Sequence, residues 1–484
     1  MHIVFAASEG LPFVKTGGLA DVVGALPQEL AKLGHQVTVY VPRYRQVAKH
    51  VPEAPVLIAS LTVPFDYYNR FARILDGGKR KGVRYLFVDC PELFDREEVY
   101  GPQGGEYADN GERFGLYCRA VLEASKQLGV PDVFHAHDWQ AALIPVLLRS
   151  TYYFDPVLRR VPCVLTIHNM GYQGKFASGL MPRLLLPWNL FTMDKLEHYD
   201  QVNFLKGGIV YADAITTVSC KYAAEIATPE FGYELDTVLR RRNGELVGIL
   251  NGVDYAEWDP ATDRNIAAHY TERKLDGKAV CRRDLLHAFA LENVAETTPV
   301  VGVVSRFVTQ KGIDLIAQIA DGLAKEEMVL VALGTGEPYY ENLLREFAER
   351  YPQKVRVRIA YDNVLAHKIE AGADMFLMPS HYEPCGLNQI YSLKYGTVPV
   401  VRATGGLDDT VEEWNAELGT GTGFKFHGYN PEDLLAALQR AFALFQDKKS
   451  WQKLMRNGMA QEYSWKKPAQ EYVGVYERVI RQRS

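Results

Sequence analysis

Apolar residues fall into short runs separated by stretches in which they recur at helical spacing, and this alternation continues along most of the chain. The runs at 2–7, 36–41, 83–88, 133–135, 161–167, 214–218 and 247–250 predict strands, and 22–33, 115–128, 139–149 and 206–211 predict helices between them. Strand and helix in alternation build a parallel, doubly wound sheet. The segment 89–113, rich in Gly, Pro and acidic residues, reads as a long surface excursion. Residues 251–276 are irregular and polar, and strands then restart at 299–304, 328–333, 355–360, 375–378 and 398–401. Helices at 431–445 and 451–458 close this second set. The expected architecture is α/β: two doubly wound parallel-sheet domains, 1–250 and 251–460, facing a central cleft. The remaining segment, 461–484, carries an amphipathic helix at 468–480 whose apolar face suits either domain, a return to the first included.

Composition narrows the function classes. A chain of 484 residues holds two cores comfortably, and 47% hydrophobic with 23% charged residues is ordinary for a globular protein. A net charge of -5 without a basic run excludes a nucleic-acid binder held by charge. The six cysteines are too scattered for a zinc knuckle or a redox pair, which suggests a reducing, cytoplasmic setting. The first strand begins without a signal-peptide pattern, and no apolar run approaches the ~18 residues of a membrane span. A soluble protein without membrane partners is expected.

Ligands of open α/β sheets bind beyond the carboxyl ends of the strands, so residues after each apolar run carry most weight. Those positions hold Lys15, Gly17-Gly18, Asp138, His168, Asn251, Arg306, Lys311, Glu383 and Gly405-Gly406. The Gly17-Gly18 turn opens a helix, so it reads either as a phosphate cradle or as a helix start that needs two small residues. Its echo at 403–411 favours the cradle and suggests one device used twice. Arg306 and Lys311 suit a diphosphate; as plain surface cations at a helix start they would oppose the helix dipole. Glu383 with the N–H groups of Cys385, Gly386 and Leu387 makes a candidate sugar clamp, against the simpler reading of a first-turn acid. Cys385 is read as a backbone donor and not as a nucleophile.

His135-Ala136-His137 opens a different class. Two histidines at a strand end could ligate a metal, as in metal-dependent hydrolases on a barrel. The competing reading buries His135 and projects Asp138 into the cleft. His168, which leaves a strand into a glycine loop, is either a core-edge or a cleft residue.

In order along the chain stand KTGGLADVVGALP at 15–27, HAHDWQ at 135–140, TIHNMGYQG at 166–174, GILNGVD at 248–254, SRFVTQKGIDL at 305–315, EPCGLNQIYSLKYGT at 383–397 and ATGGLDDTV at 403–411. This ordered set resembles the ADP-glucose-type bacterial glycogen synthases and plant starch synthases, whose GT-B fold has two Rossmann-like domains. The resemblance implies retaining transfer of glucose from ADP-glucose, or UDP-glucose, to the non-reducing end of an α-1,4-glucan, with no cofactor and no required metal. It implies that Lys15 and Gly17-Gly18 approach the donor phosphates, with Asp21 and Asn251 near the nucleotide and sugar. Arg306 and Lys311 would stabilise the diphosphate. Glu383, with the N–H groups of Cys385 to Leu387 and with Asn388, would hold the glucose, and Tyr361 would stack near the base. Asp138 would position the acceptor, and the main-chain carbonyl of His168 would face the anomeric carbon. A catalytically silent glucan-binding relative would keep the fold but lose the cations or the acid, and Arg306, Lys311 and Glu383 are all present. Phe94 stands where many relatives carry Tyr, and Glu234 and Thr237 replace two glycines common in the family.

Overall fold

The computed structural model describes residues 1–102, 105–242 and 244–483. The chain divides into two compact units, Met1–Gly252 with Trp465–Ser484, and Val253–Ser464.

In the first unit the strands are β1 His2–Ala6, β2 Gln36–Pro42, β3 Val56–Phe65, β4 Tyr68–Arg80, β5 Val83–Asp89, β6 Val133–His137, β7 Cys163–Ile167, β8 Lys175–Ala177, β9 Glu197–His198, β10 Gln201–Asn203, β11 Ala214–Thr217 and β12 Leu246–Gly248. Nine form one sheet in the order β12-β11-β7-β6-β1-β2-β5-β4-β3, and β8, β10 and β9 form a small separate sheet. The seven strands from β12 to β5 pair in parallel, and their centre is buried on both faces, as in the run Ile3 to Ala6. β4 and β3 add an antiparallel hairpin at one edge, which the alternation of apolar runs does not predict. Its outer face carries polar residues and its register shifts, so no clean apolar period marks it. The helix Lys466–Arg483 belongs to this unit, and Pro468, Ala469, Tyr472, Val475, Tyr476 and Val479 are its buried residues.

The helix expected at 115–128 begins at Asn110, and the one expected at 139–149 is broken into Asp138–Ala141 and Leu143–Arg149. The excursion 89–113 is not simply surface: Leu93, Phe94, Val99 and Arg113 are buried. Arg113 is tied by its Nε to the Leu93 carbonyl at 2.7 Å and by its Nη1 to the Val99 carbonyl at 2.9 Å. Positions 103 and 104 of that excursion lie outside the described residues. Phe94 packs edge-on against Tyr44 with ring centroids 5.7 Å apart, and its fully buried position has no use for a hydroxyl.

The second unit contributes β13 Val300–Val304, β14 Val329–Gly334, β15 Val355–Ile359, β16 Met375–Met378, β17 Val398–Arg402 and β18 Phe424–Phe426. All pair in parallel in the order β15-β14-β13-β16-β17-β18. Two apolar layers cover the faces of this sheet, one built around Ile313, Ile316, Leu434 and Leu438 and the other around Leu285, Ile369 and Leu407. The second layer uses the helix Asp276–Ala288, whose charged residues and few buried apolar positions hide it in the sequence pattern.

Candidate functional site

Strand order reverses around β1 in the first unit, with β6 on one side and β2 on the other, and around β13 in the second, with β16 and β14 as neighbours. Such reversal points leave a crevice at the carboxyl ends of the strands where ligands bind.

After β1 the chain runs through Ala7 and Ser8 to Glu9, which is 3% exposed. Its carboxylate accepts the N–H of Thr16 at 2.5 Å, the N–H of Gly17 at 3.0 Å, the Thr16 hydroxyl at 2.6 Å and the Tyr100 hydroxyl at 2.5 Å. Two of the turn's backbone donors are therefore taken by an internal anion, and the turn is held in place by that carboxylate. Glu9 sits directly beyond a strand end, the one cue in the sequence that could have singled it out. Beside it, Lys15 Nζ pairs with Asp21 at 2.7 Å, and burial raises the Asp21 carboxyl above its ordinary range, with Lys15 opposing. Gly17 caps the helix Gly18–Lys32, and a Cβ added at Gly17 or Gly18 would meet nothing within 4 Å.

The glycine pair at 405–406 is a different object. Gly405 has φ +47°, and a Cβ there would lie 1.9 Å from the Glu383 carbonyl oxygen; one at Gly406 would lie 2.0 Å from that of Cys385. The second pair exists to let a helix press on the Glu383 loop, whereas the first faces open space. The two turns are not one device repeated.

Asp138 follows β6 with φ +55°, a conformation that costs a non-glycine residue about 1–2 kcal/mol. Its Oδ1 accepts the His168 N–H at 2.7 Å, so the carboxylate fixes the peptide that leads into the glycine loop after β7. Burial pushes the Asp138 carboxyl up to about 7, against the pull of the His168 and Asn169 N–H groups. The ring of His168 bonds His137 across 2.9 Å from Nε2 to Nδ1, and burial holds the His168 imidazole down at about 3. The His168 carbonyl accepts no hydrogen bond among the described residues.

His135 is fully buried, with Nε2 2.6 Å from the Thr166 hydroxyl and Nδ1 2.8 Å from the hydroxyl of Tyr476 on the last helix. Both ring nitrogens are thus engaged by the protein, and among the described residues no three His, Cys, Asp or Glu side chains come together as a metal-holding group. The hydrolase alternative built on His135 and His137 fails on this geometry, and the buried reading of His135 stands.

In the second unit Arg306 follows β13, and its exposed guanidinium has no hydrogen bond or ion pair among the described residues. The turn Thr309–Lys311 ends at Gly312, whose φ of +69° lets it lie against the Pro379 carbonyl; a Cβ there would come within 2.1 Å of that oxygen. This close approach carries Lys311 to Glu383: Nζ and Oε2 are 2.6 Å apart, with side chains 17% and 7% exposed. Ser380 also donates to Glu383, at 3.0 Å. The N–H groups of Gly386 and Leu387 have no protein acceptor among the described residues, and Cys385 is buried beside them. Asn388 opens the next helix and ties it to the strand end, Nδ2 donating to the Val304 carbonyl at 2.8 Å. Tyr361, after β15, is 85% exposed. Asn251 lies in the first unit, buried, with an Oδ1 that has no partner.

The structure therefore gathers Arg306, Lys311, Glu383 and Gly386 to Asn388 at the second unit's reversal point. It gathers Lys15, Gly17, Gly18, Asp21, Asp138 and His168 beyond the strands around the first unit's reversal point. Among the described residues no helix is long and apolar enough to cross a membrane.

Comparison with known proteins agrees with both halves. Residues 2–241 match the starch synthase catalytic domain model, and residues 288–458 match the model of glycosyl transferases group 1. A glycogen synthase of Koribacter versatilis is 59% identical over 478 residues, covering 99% of this chain and 98% of that one. A glycogen synthase of Myxococcus xanthus is 46% identical over 483 residues, covering 99% and 100%. The catalytic domain of starch synthase IV from Arabidopsis thaliana, solved with ADP and acarbose, superposes with a TM-score of 0.89 at 31% identity, covering 99% of both chains. With two parallel-sheet units, each bearing its polar cluster at a reversal of strand order, the chain belongs to the glycogen and starch synthase family of GT-B glycosyltransferases.

Proposed function

We propose that the chain transfers glucose from a nucleoside diphosphate glucose, ADP-glucose or alternatively UDP-glucose, to the non-reducing end of an α-1,4-glucan with retention at the anomeric carbon. The observation that carries this reading is the cluster of an unpaired Arg306 with the Lys311–Glu383 pair at the reversal point of the second sheet. Lys311 is neutralised by Glu383, so Arg306 supplies the uncompensated charge that draws a diphosphate. A donor seated there brings phosphate oxygens to Arg306 and Lys311, while Glu383 and the N–H groups of Gly386 and Leu387 hold the glucosyl hydroxyls. By the family resemblance, Lys15 and the Gly17-Gly18 turn are assigned to the donor phosphates, Asp21 and Asn251 to the nucleotide and sugar, and Tyr361 to the base.

In the proposed step the bond from the anomeric carbon to the phosphate oxygen breaks as the acceptor hydroxyl forms its bond on the same face. The hydroxyl proton passes to the departing phosphate, which needs no protein acid. The cations stabilise charge that develops on the leaving group, a contribution typically worth 10²–10³ in rate for each donor removed. Asp138 positions the acceptor and, by accepting the N–H groups of His168 and Asn169, fixes the residue whose carbonyl faces the carbon that becomes positive. The glycogen synthases among the relatives, and the starch synthase bound to ADP and acarbose, support a nucleotide-sugar donor and a glucan acceptor.

Incubating the purified chain with radiolabelled ADP-glucose or UDP-glucose and glycogen, with and without a chelator, tests the proposal. Label should enter the precipitable glucan from at least one donor, equally with chelator present. Release of label only as free glucose, or transfer abolished by the chelator, would contradict it.

A further inference from the structure

The first unit contains a cavity of about 520 Å³ that the proposed chemistry does not use. Trp139, Tyr172 and Tyr233 are its aromatic lining residues, and Glu106, Lys175 and Glu234 are its charged ones. The volume lies in the range of about 300–1,000 Å³ usual for small-ligand clefts. Two opposed signs of charge with several rings do not suit an anion; they suit a neutral polyol, whose ring faces pack on aromatics while its hydroxyls bridge carboxylates and amines.

One wall of the cavity is strained. Tyr233 and Glu234 have φ of +46° and +69°, two successive non-glycine residues in the left-handed region. Gln173 Nε2 donates to the Tyr233 carbonyl at 2.8 Å, and the same side chain accepts from Asn203 at 2.7 Å, so the wall is pinned from beneath. Glu234 then reaches the small sheet, with Oε2 3.1 Å from His198 Nε2 and 3.4 Å from Lys175 Nζ. Its Oε1 makes no hydrogen bond among the described residues, and the side chain is 55% exposed. A glycine would take this conformation without strain, so what the glutamate adds is its carboxylate, one oxygen of which holds the small sheet while the other has no protein partner among the described residues. The cavity also begins at Trp139, the residue after Asp138; Gly174, at φ +64°, presses on that indole so closely that a Cβ would lie 2.4 Å from it.

From these features we infer that the cavity holds glucosyl units of the acceptor chain beyond the one that reacts, and that Glu234 is the residue that sets acceptor affinity by accepting their hydroxyls. The inference rests on the proposed transfer reaction for the identity of its ligand. Glu234→Ala removes the carboxylate and keeps the strained backbone, and Glu234→Gly removes both. With maltoheptaose as acceptor, both variants should raise the acceptor KM about five-fold or more, leaving the donor KM and the kcat at saturating acceptor unchanged. Glu234→Gly should also unfold at a temperature no lower than the parent. Maltoheptaose binding to the three proteins, measured by calorimetry without donor, gives a readout independent of turnover, and both variants should bind more weakly. An unchanged acceptor KM and unchanged binding overturn the role of Glu234 while transfer persists. A loss of kcat with constant acceptor KM also overturns it and marks Glu234 as a structural residue. If the parent shows no transfer from any donor, the proposed reaction fails, and the calorimetric comparison still decides whether Glu234 binds the glucan.

Discussion

Replacing Asp138 by Asn tests the electrostatics of the acceptor side without disturbing its geometry, because an amide oxygen can still accept the His168 N–H. Folding raises this carboxyl from 3.8 to about 7 by burial. Between those values the folded chain keeps a proton that the unfolded chain releases, so stability falls as pH rises through the window. A shift of about three units corresponds to about 4 kcal/mol as a ceiling. The part of it lost between pH 5 and pH 8, discounted for partial solvent access and relaxation, is about 1–3 kcal/mol. Asn carries no such penalty. For a unit of about 270 residues this amounts to roughly 2–5 °C. Scanning calorimetry at pH 5 and pH 8 should show the Asp138→Asn chain gaining that much on the parent at the higher pH. A gap that stays constant or shrinks would refute the buried-carboxylate account. In parallel, kcat/KM of the parent should rise with pH through about 7 as the carboxylate ionises, and the variant should be slow and lack that rise.

Arg306→Ala should leave the folded state intact, since the exposed guanidinium has no partner among the described residues, and should lower kcat by about 10²–10³; equal turnover in the variant would remove Arg306 from the donor site. The two glycine pairs should separate cleanly in mutagenesis. Gly405→Ala places a Cβ 1.9 Å from the Glu383 carbonyl at φ +47°, and should cost about 2–4 kcal/mol by chemical denaturation together with most activity. Gly17→Ala has no such clash and should melt within about a degree of the parent, with its effect confined to a higher donor KM.

Much of this architecture is legible in the sequence because parallel strands buried on both faces appear as unbroken apolar runs. Ile3 to Ala6 of β1, β13 and β14 are all of this kind. The hairpin of β3 and β4 escaped the same reading, since one face meets solvent and irregular pairing blurs its period. The rule that ligands gather after strand ends points to Asp138, Arg306 and Glu383, and each does lie beyond a strand end in the structure, as does Glu9. What the pattern cannot express is who neighbours whom. Lys311 and Glu383 are 72 residues apart, and only the close approach of Gly312 to Pro379 makes them a pair. The repeated glycine turn misled for the same reason: identical dipeptides acquire opposite purposes from what lies against them. In the sequence Glu234 is only a replacement for a common glycine, and its backbone angles and its partners on the small sheet set it apart.

Retaining transfer to a glucan end is read from the structure of the product. ADP-glucose or UDP-glucose labelled with ¹³C at the anomeric carbon would be incubated with maltoheptaose and this protein, and the product observed by NMR. The labelled residue should stand at the non-reducing end of the lengthened chain, in α-1,4 linkage. A labelled residue in β linkage, or label recovered only as free glucose, would contradict it.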